Sequence, residues 1–435
     1  MNRSVIGLSV LLTFCNTACR NDPADFRQQG LLAEYNRITK PADYDPQQNS
    51  ADLFWQADEA YASAPAIVEG AACYWNLSDA QRSEVKTWLE QNEKCISLLI
   101  AAAQKGFYWK EYRSTNNRLG VFDFPEHAKL RDFAQLLKLS AEIKAYHGHV
   151  SHAFDDVLNV YRLAKQFQSP RSLIDQLTAT GVSRGSFVSA FHIIANAGPD
   201  ATTLTTFQEQ LHVLLESRPL AVTYSDGAKL FARELIQLVF SDDGSGNGEF
   251  LPERLVMLFD GRTYPKFTLK EAQTIALAQP DKSETLASLE EFQYAMNSIR
   301  EEAPWALYAR QTSHENEAGR LTKNNCLLSI ECIGGPYGAF YLYKCHADAL
   351  ITTLAILRYR ANKGEYPPTL EKLIGASYLR ALPMDPYSGW PLVYQTTDDD
   401  FTLYSVGPNF KNDGGKHVGW SDEPGDYVFW PVQER

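Results

Sequence analysis

From about residue 51 to 220, apolar residues recur at every third or fourth position, a periodicity that commits this part of the chain to helices with one buried face. The pattern runs through Glu84 to Ala103, Ala128 to His147, His152 to Phe167, Ser172 to Ala195 and Leu204 to Leu215. Gly148, Ser169-Pro170 and Gly198-Pro199 interrupt it. Breaks this short make consecutive helices fold back on one another, so the sequence predicts stacked antiparallel hairpins. A second helical region is predicted from Gly227 to about Ser313, which extends the α-helical domain over 51–313.

With 435 residues the chain exceeds the roughly 250–300 that a single core usually serves, so more than one domain is expected. A mean hydropathy of -0.32 excludes a polytopic membrane protein. The net charge of -12 repels a phosphate backbone, and nucleic acid is excluded as a partner. Arg3, the apolar stretch Val5 to Phe14 and the small or polar Asn16-Thr17-Ala18 read as an export signal over 1–19. Cys19 follows Ala18 as a lipid acceptor would, with simple cleavage the alternative; Asn16 stands where such motifs usually carry Leu. Pro23, Pro41 and Pro46 mark 20–50 as a polar tether. The protein is thus expected in the periplasm or cell envelope, touching the membrane only through such an anchor.

The texture changes towards the C-terminus. Residues 314–339 are polar, end in Gly334-Gly335-Pro336 and read as a connection. Ala347 to Ala361 is an amphipathic helix with Ala349, Leu350, Leu354, Leu357 and Ala361 on one face and Gly364 as its C-cap. Strands are predicted at Pro391 to Gln395 and Phe401 to Val406, joined as a hairpin across Thr396 to Asp400. The predicted fold class is mainly α, as stacked helical hairpins, with a small C-terminal α+β module over 340–435.

Two resemblances follow from these residues. The pair spanning Leu130 to Phe167, with Gly148 at its turn, Ala153 beyond it and Pro170 near its exit, resembles one tetratricopeptide hairpin. More specifically, Gly364-Glu365-Tyr366-Pro367, Leu370, Leu373, Tyr378-Leu379, Leu382-Pro383-Met384-Asp385-Pro386, Gly389, Pro391 to Tyr394, Leu403 to Gly407 and Asp413-Gly414-Gly415 together resemble the soluble domain of the type II secretion major pseudopilin. That resemblance implies a helix carrying an antiparallel hairpin and a C-terminal calcium loop, with Asp413, Asp422 and Asp426 as metal ligands. A pseudopilin sets this domain directly after a long apolar N-terminal helix. Here the helical region intervenes, so the resemblance carries fold and not function.

Other candidate chemistry is weaker. Asp243, Ser245, Asn247, Gly248 and Phe250 follow the opening of an EF-hand loop, but the closing Glu is replaced by Arg254. Gly181-Val182-Ser183-Arg184-Gly185 spells a hydrolase elbow inside a helical pattern, where no strand precedes the serine. His147, His149 and His152 gather at a helix junction, where solvated turn histidines are the ordinary case. Cys326 with Cys332, and Cys73 with Cys95, are placed to pair in an oxidising compartment or to sit buried as thiols. No two cysteines of the body stand at the spacing of a zinc ligand pair. The residues supply no catalytic constellation. The expected function is that of a non-enzymatic envelope protein that binds a protein partner, with a calcium-stabilised module; the alternative is an envelope hydrolase of unrecognised type.

Overall fold

The computed structural model describes residues 30–432 except 71–72, 115–116, 120–123, 169–170, 259–266, 326, 329–336, 398 and 418–424. The proposed export signal, Cys19, Cys326, Cys332 and Asp422 therefore lie outside the described residues. The described residues form helices in chain order: α1 (Leu32–Thr39), α2 (Ala51–Ala60), α3 (Ala66–Gly70), α4 (Asp79–Gln91), α5 (Glu93–Ala103), α6 (Pro125–Tyr146), α7 (Val150–Gln166), α8 (Leu173–Ala197) and α9 (Ala201–Glu216). There follow α10 (Asp226–Val239), α11 (Pro252–Leu258), α12 (Leu269–Ala276), α13 (Lys282–Ile299), α14 (Pro304–Ala309), α15 (His314–Leu321), α16 (Tyr337–Lys363) and α17 (Glu371–Gly375). An antiparallel sheet of β1 (Val393–Thr396), β2 (Phe401–Ser405) and β3 (Tyr427–Trp430), in that order, completes the chain. The fold is mainly α with a small sheet near the C-terminus, as the periodicity predicts.

Local chemistry sets most helix starts. Ser78 and Gln81 form a capping box on α4, and Thr268 and Glu271 form another on α12. Ser172, Asp200, Ser225, Asp281 and Ser313 each accept a first-turn backbone N–H at the starts of α8, α9, α10, α13 and α15. Gly364 closes α16 with φ +80°, a conformation that a side chain would strain. The segment predicted as one helix from Glu84 to Ala103 is instead two. Asn92 is fully buried between α4 and α5, where its side chain accepts the Ala62 N–H at 2.9 Å and donates to the Ala62 and Trp88 carbonyls, at 3.2 and 2.9 Å. A buried amide that binds another segment of backbone outcompetes helix continuation there.

Packing corrects four further expectations. Residues 30–50, read as a tether, hold α1, and Leu32 and Tyr35 are buried with Tyr112, Leu119, Phe124 and Leu230. The stretch 314–339, read as a polar connection, contains α15, whose buried His314 stacks on Tyr337 with ring centroids 4.1 Å apart. The helix predicted over 347–361 begins at Tyr337, so the expected boundary before residue 340 falls inside α16. That helix is not amphipathic through its middle: every residue from Ala347 to Ile356 is buried. It packs against α8, α9 and α17 and against β2 and β3, so one apolar core runs from Phe154, Phe187 and Phe207 to Leu403 and Phe429. Strand β3 is also absent from the sequence expectation; four residues beyond an Asp- and Gly-rich loop carry too little pattern to separate strand from loop.

A second core joins α2, α5, α6 and α7 around Phe54, Leu99, Phe133, Val160 and Phe167. At its margin a buried ionic network links three segments. Asp175 Oδ1 takes the Arg171 guanidinium at 3.0 Å and lies 2.9 Å from His127 Nε2, while Asp175 Oδ2 accepts the Ser172 hydroxyl at 2.7 Å. Arg171 also lies over the rings of Tyr108 and Phe167, 5.4 Å from each centroid. Gly227 passes so close to this segment that a Cβ there would stand 1.8 Å from the Arg171 carbonyl oxygen, which explains a glycine in the first turn of α10.

Burial alone would raise the Asp175 pKa, but Arg171, His127 and Ser172 together hold it below the ordinary value. A carboxyl whose folded pKa is depressed contributes stability that is complete above its unfolded pKa of about 3.9 and is lost as pH falls through the lower folded value. Asp175→Asn leaves the Arg171 charge buried without its counterion and is predicted to cost about 3–5 kcal/mol at neutral pH. Urea unfolding at neutral pH and in acid checks this, and the gap between wild type and variant must narrow as the solution is acidified below about pH 4.

Candidate functional site

Two of the three predicted calcium ligands, Asp413 and Asp426, lie side by side. Asp426 is fully buried, and its carboxylate accepts the Asp413 N–H at 3.2 Å and the Gly415 N–H at 2.7 Å, so it closes the 413–426 loop from within. Burial raises its pKa more than these two hydrogen bonds lower it. Asp413 is at the surface, where its Oδ2 accepts the Asn409 amide at 2.6 Å. Asp422, the third expected ligand, lies outside the described residues.

The other candidates resolve into local structure. Asp243 accepts the Ser245 N–H at 2.8 Å, the Ser245 hydroxyl at 2.6 Å and the Asn247 N–H at 3.2 Å, and Phe240 and Phe250 bridge across the base of the loop. Residues 181–185 lie in the middle of α8 with Ser183 fully buried, which is the opposite of an exposed strand-to-helix elbow. His147, His149 and His152 are exposed around the α6–α7 turn, and the His149 and His152 ring centroids are 6.4 Å apart. Cys73 and Cys95 are both free and buried, which matches the buried-thiol alternative for this pair.

The structure instead gathers residues that the sequence leaves apart. Cys73, just before the short 3-10 turn Tyr74–Asn76, meets Glu142 of α6 and His192 of α8, and their ligand-capable atoms all lie within 4.8 Å of one another. Among the described residues this is the one such group of three. Side chains positioned by three different segments leave no spacing signal in the chain. The legible trace is only that Glu142 and His192 stand as ionisable residues next to the apolar Ala141 and Phe191 in the sequence.

This cluster is organised around the Glu142 carboxylate. Tyr74 N–H donates to its Oε2 at 2.7 Å and the Ser189 hydroxyl donates to its Oε1 at 3.1 Å. Both donors hold one carboxylate rotamer in place. His192 Nδ1 stands 3.6 Å from Glu142 Oε1, within ion-pair range but beyond a hydrogen bond, and has no hydrogen-bond partner among the described residues. Burial disfavours the imidazolium, yet the nearby Cys73 and Glu142 outweigh it and push the His192 pKa up to about 9. The exposures are 6% for Cys73, 2% for Glu142 and 9% for His192. A thiol, a carboxylate and an imidazole therefore share one buried space.

At the surface a second feature stands out. The 382–391 loop is pinned from inside by Asp385, which is 1% exposed. Its carboxylate accepts the Ser405 hydroxyl at 2.8 Å, the Val406 N–H at 3.1 Å and the Tyr387 N–H at 3.1 Å. Trp305 of α14 donates its backbone N–H to the Pro386 carbonyl at 3.1 Å, and its ring lies against Gly389. Tyr308 stacks on Phe410 at 4.1 Å, and Met384 bridges to Pro391. Trp305, Tyr308, Met384 and Trp390 remain 44%, 54%, 48% and 74% exposed. Among the described residues no helix is long and apolar enough to cross a membrane. No protein-family model matches the chain, and comparison with curated proteins and with solved structures gives no match.

Proposed function

We propose that this chain is an exported protein of the cell envelope that acts by binding another protein rather than by turning over a substrate. The observation that carries the reading is the exposed apolar patch of Met384 and Trp390 on the pinned 382–391 loop with Trp305 and Tyr308 of α14. Large apolar side chains exposed singly are ordinary, but four of them brought together on a rigid support match the composition of interface centres, where Trp, Tyr and Met are enriched. Asp385 fixes the loop before any partner arrives, so little ordering entropy remains to be lost on docking. The partner is a protein offering an apolar surface. The helical stack serves as the scaffold that presents this patch.

The calcium-stabilised module belongs to the same proposal. Asp426 organises the loop backbone, and the Asp413 carboxylate at the surface supplies a hard oxygen of the kind calcium takes, with Asp422 as its companion. Calcium that binds only the folded state raises the melting temperature of the EDTA-stripped full chain with the logarithm of its concentration above the dissociation constant. Asp413→Ala combined with Asp422→Ala removes that rise, whereas Asp243→Ala leaves it intact. A melting curve unchanged from micromolar to millimolar calcium contradicts the ligand assignment.

A photoreactive residue placed at position 390 of the full chain, in producing cells, tests the docking surface. The expected result is a discrete adduct in the envelope fraction that Trp305→Ser weakens, with no adduct from the same probe at Leu277, which is 89% exposed away from the patch residues in sequence. Equal labelling at both positions, or full-length chain recovered only from the cytosol, overturns the reading.

A further inference from the structure

We propose that Cys73, Glu142 and His192 form a binding site for one divalent transition metal ion of zinc type. The thiolate, imidazole and carboxylate are the three ligand classes zinc takes, and three protein ligands leave one position for water or a fourth donor. Bonds of about 2.3 Å to sulfur and about 2.0–2.2 Å to nitrogen and oxygen set tetrahedral ligand atoms roughly 3.2–3.7 Å apart. The 3.6 Å between His192 Nδ1 and Glu142 Oε1 falls in that range, and the whole set within 4.8 Å needs only small side-chain adjustment to close on an ion.

Two features of the site go beyond the mere gathering of these residues. The first is His192 itself, which is nine-tenths buried with Nδ1 directed at the carboxylate and unbonded among the described residues. A buried ring nitrogen held at ion-pair distance without a hydrogen bond is only partly satisfied, and a metal ion that replaces its proton takes the lone pair directly. The second is the support of Glu142. The Tyr74 N–H and the Ser189 hydroxyl fix its carboxylate as second-layer hydrogen bonds fix metal-binding carboxylates elsewhere. The contrast with Asp175 is informative, because that carboxylate takes its donors from Arg171, His127 and Ser172 at hydrogen-bond distance.

Carboxylate and imidazole alone would suit many cations, but the sulfur narrows the class. Thiolate with imidazole selects zinc and its neighbours over calcium or magnesium, which take oxygen ligands. The site is therefore separate in chemistry from the proposed calcium loop, and neither proposal depends on the other. It ties the turn before α4 to α6 and α8 across the margin of the second core.

Cobalt substitution tests the proposal on the full-length chain, chelator-stripped and kept reduced. Cobalt(II) added to the wild type is expected to give a near-ultraviolet sulfur-to-cobalt charge-transfer band saturating at one equivalent, and zinc is expected to bleach it. Cys73→Ser abolishes the band, Cys95→Ser retains it, and Ser189→Ala, which alters only the support of Glu142, weakens cobalt binding by about 10-fold to 100-fold. Should Cys73→Ser fail to fold, the wild-type, Cys95→Ser and Ser189→Ala titrations still decide the matter. No band in the wild type, a band that Cys95→Ser removes, or an affinity that Ser189→Ala leaves unchanged overturns it.

Discussion

Burial of α16 on all sides is the constraint on which the rest of the structure depends. Ten consecutive residues from Ala347 to Ile356 are shielded from water, and a helix can be covered all round only if other elements pack against every face. Helices α8 and α9 supply part of the cover, and the sheet and α17 add to it. Small residues make this close approach feasible: Ala347, Ala349, Thr352, Thr353 and Ala355 let neighbouring backbones come near, while Leu350, Leu354 and Ile356 fill the space between. The one charge in the stretch, Asp348, is compensated by Arg218 at 2.7 Å and Lys344 at 2.9 Å. Phe191 of α8 and Phe429 of β3 meet in this core with ring centroids 6.4 Å apart, so the helical stack and the sheet share apolar surface.

Buried carboxylates then fix the parts that the apolar core leaves free. Asp385 holds the 382–391 loop to β2, Asp175 gathers α6, α8 and the Tyr108 segment, and Asp426 closes the C-terminal loop. Each is matched by donors, as a buried charge must be. Glu142 is the exception in what surrounds it, since His192 Nδ1 stands 3.6 Å from its carboxylate, in ion-pair range but beyond a hydrogen bond. That imbalance separates a structural network from a site with remaining capacity to bind.

The helices from α6 to α9 were legible because their apolar period and their capping residues agree. Gly148 lies at the turn after α6, Ser172 and Asp200 start α8 and α9, and Gly198 stands directly after α8. What the sequence hid depends on tertiary context. Asn92 breaks a helix only because Ala62 is there to be bound, and α16 looks amphipathic until the sheet covers its other side. Asp385 reads as part of a turn motif, yet its role is to accept three donors, two of them from beyond β1. The Cys73, Glu142 and His192 cluster was invisible for the same reason: no local pattern brings a turn, α6 and α8 together.

If α16 binds the helical stack and the sheet into one core, then both must open together. Native-state hydrogen exchange on the full chain measures this most directly, because each amide reports the free energy of the opening that exposes it. The account predicts that the most protected amides of β2, of α16 between 347 and 356, and of α8 exchange only through global unfolding, with one common free energy. Exchange of β2 and β3 through a cheaper opening, while α8 stays protected, would contradict it.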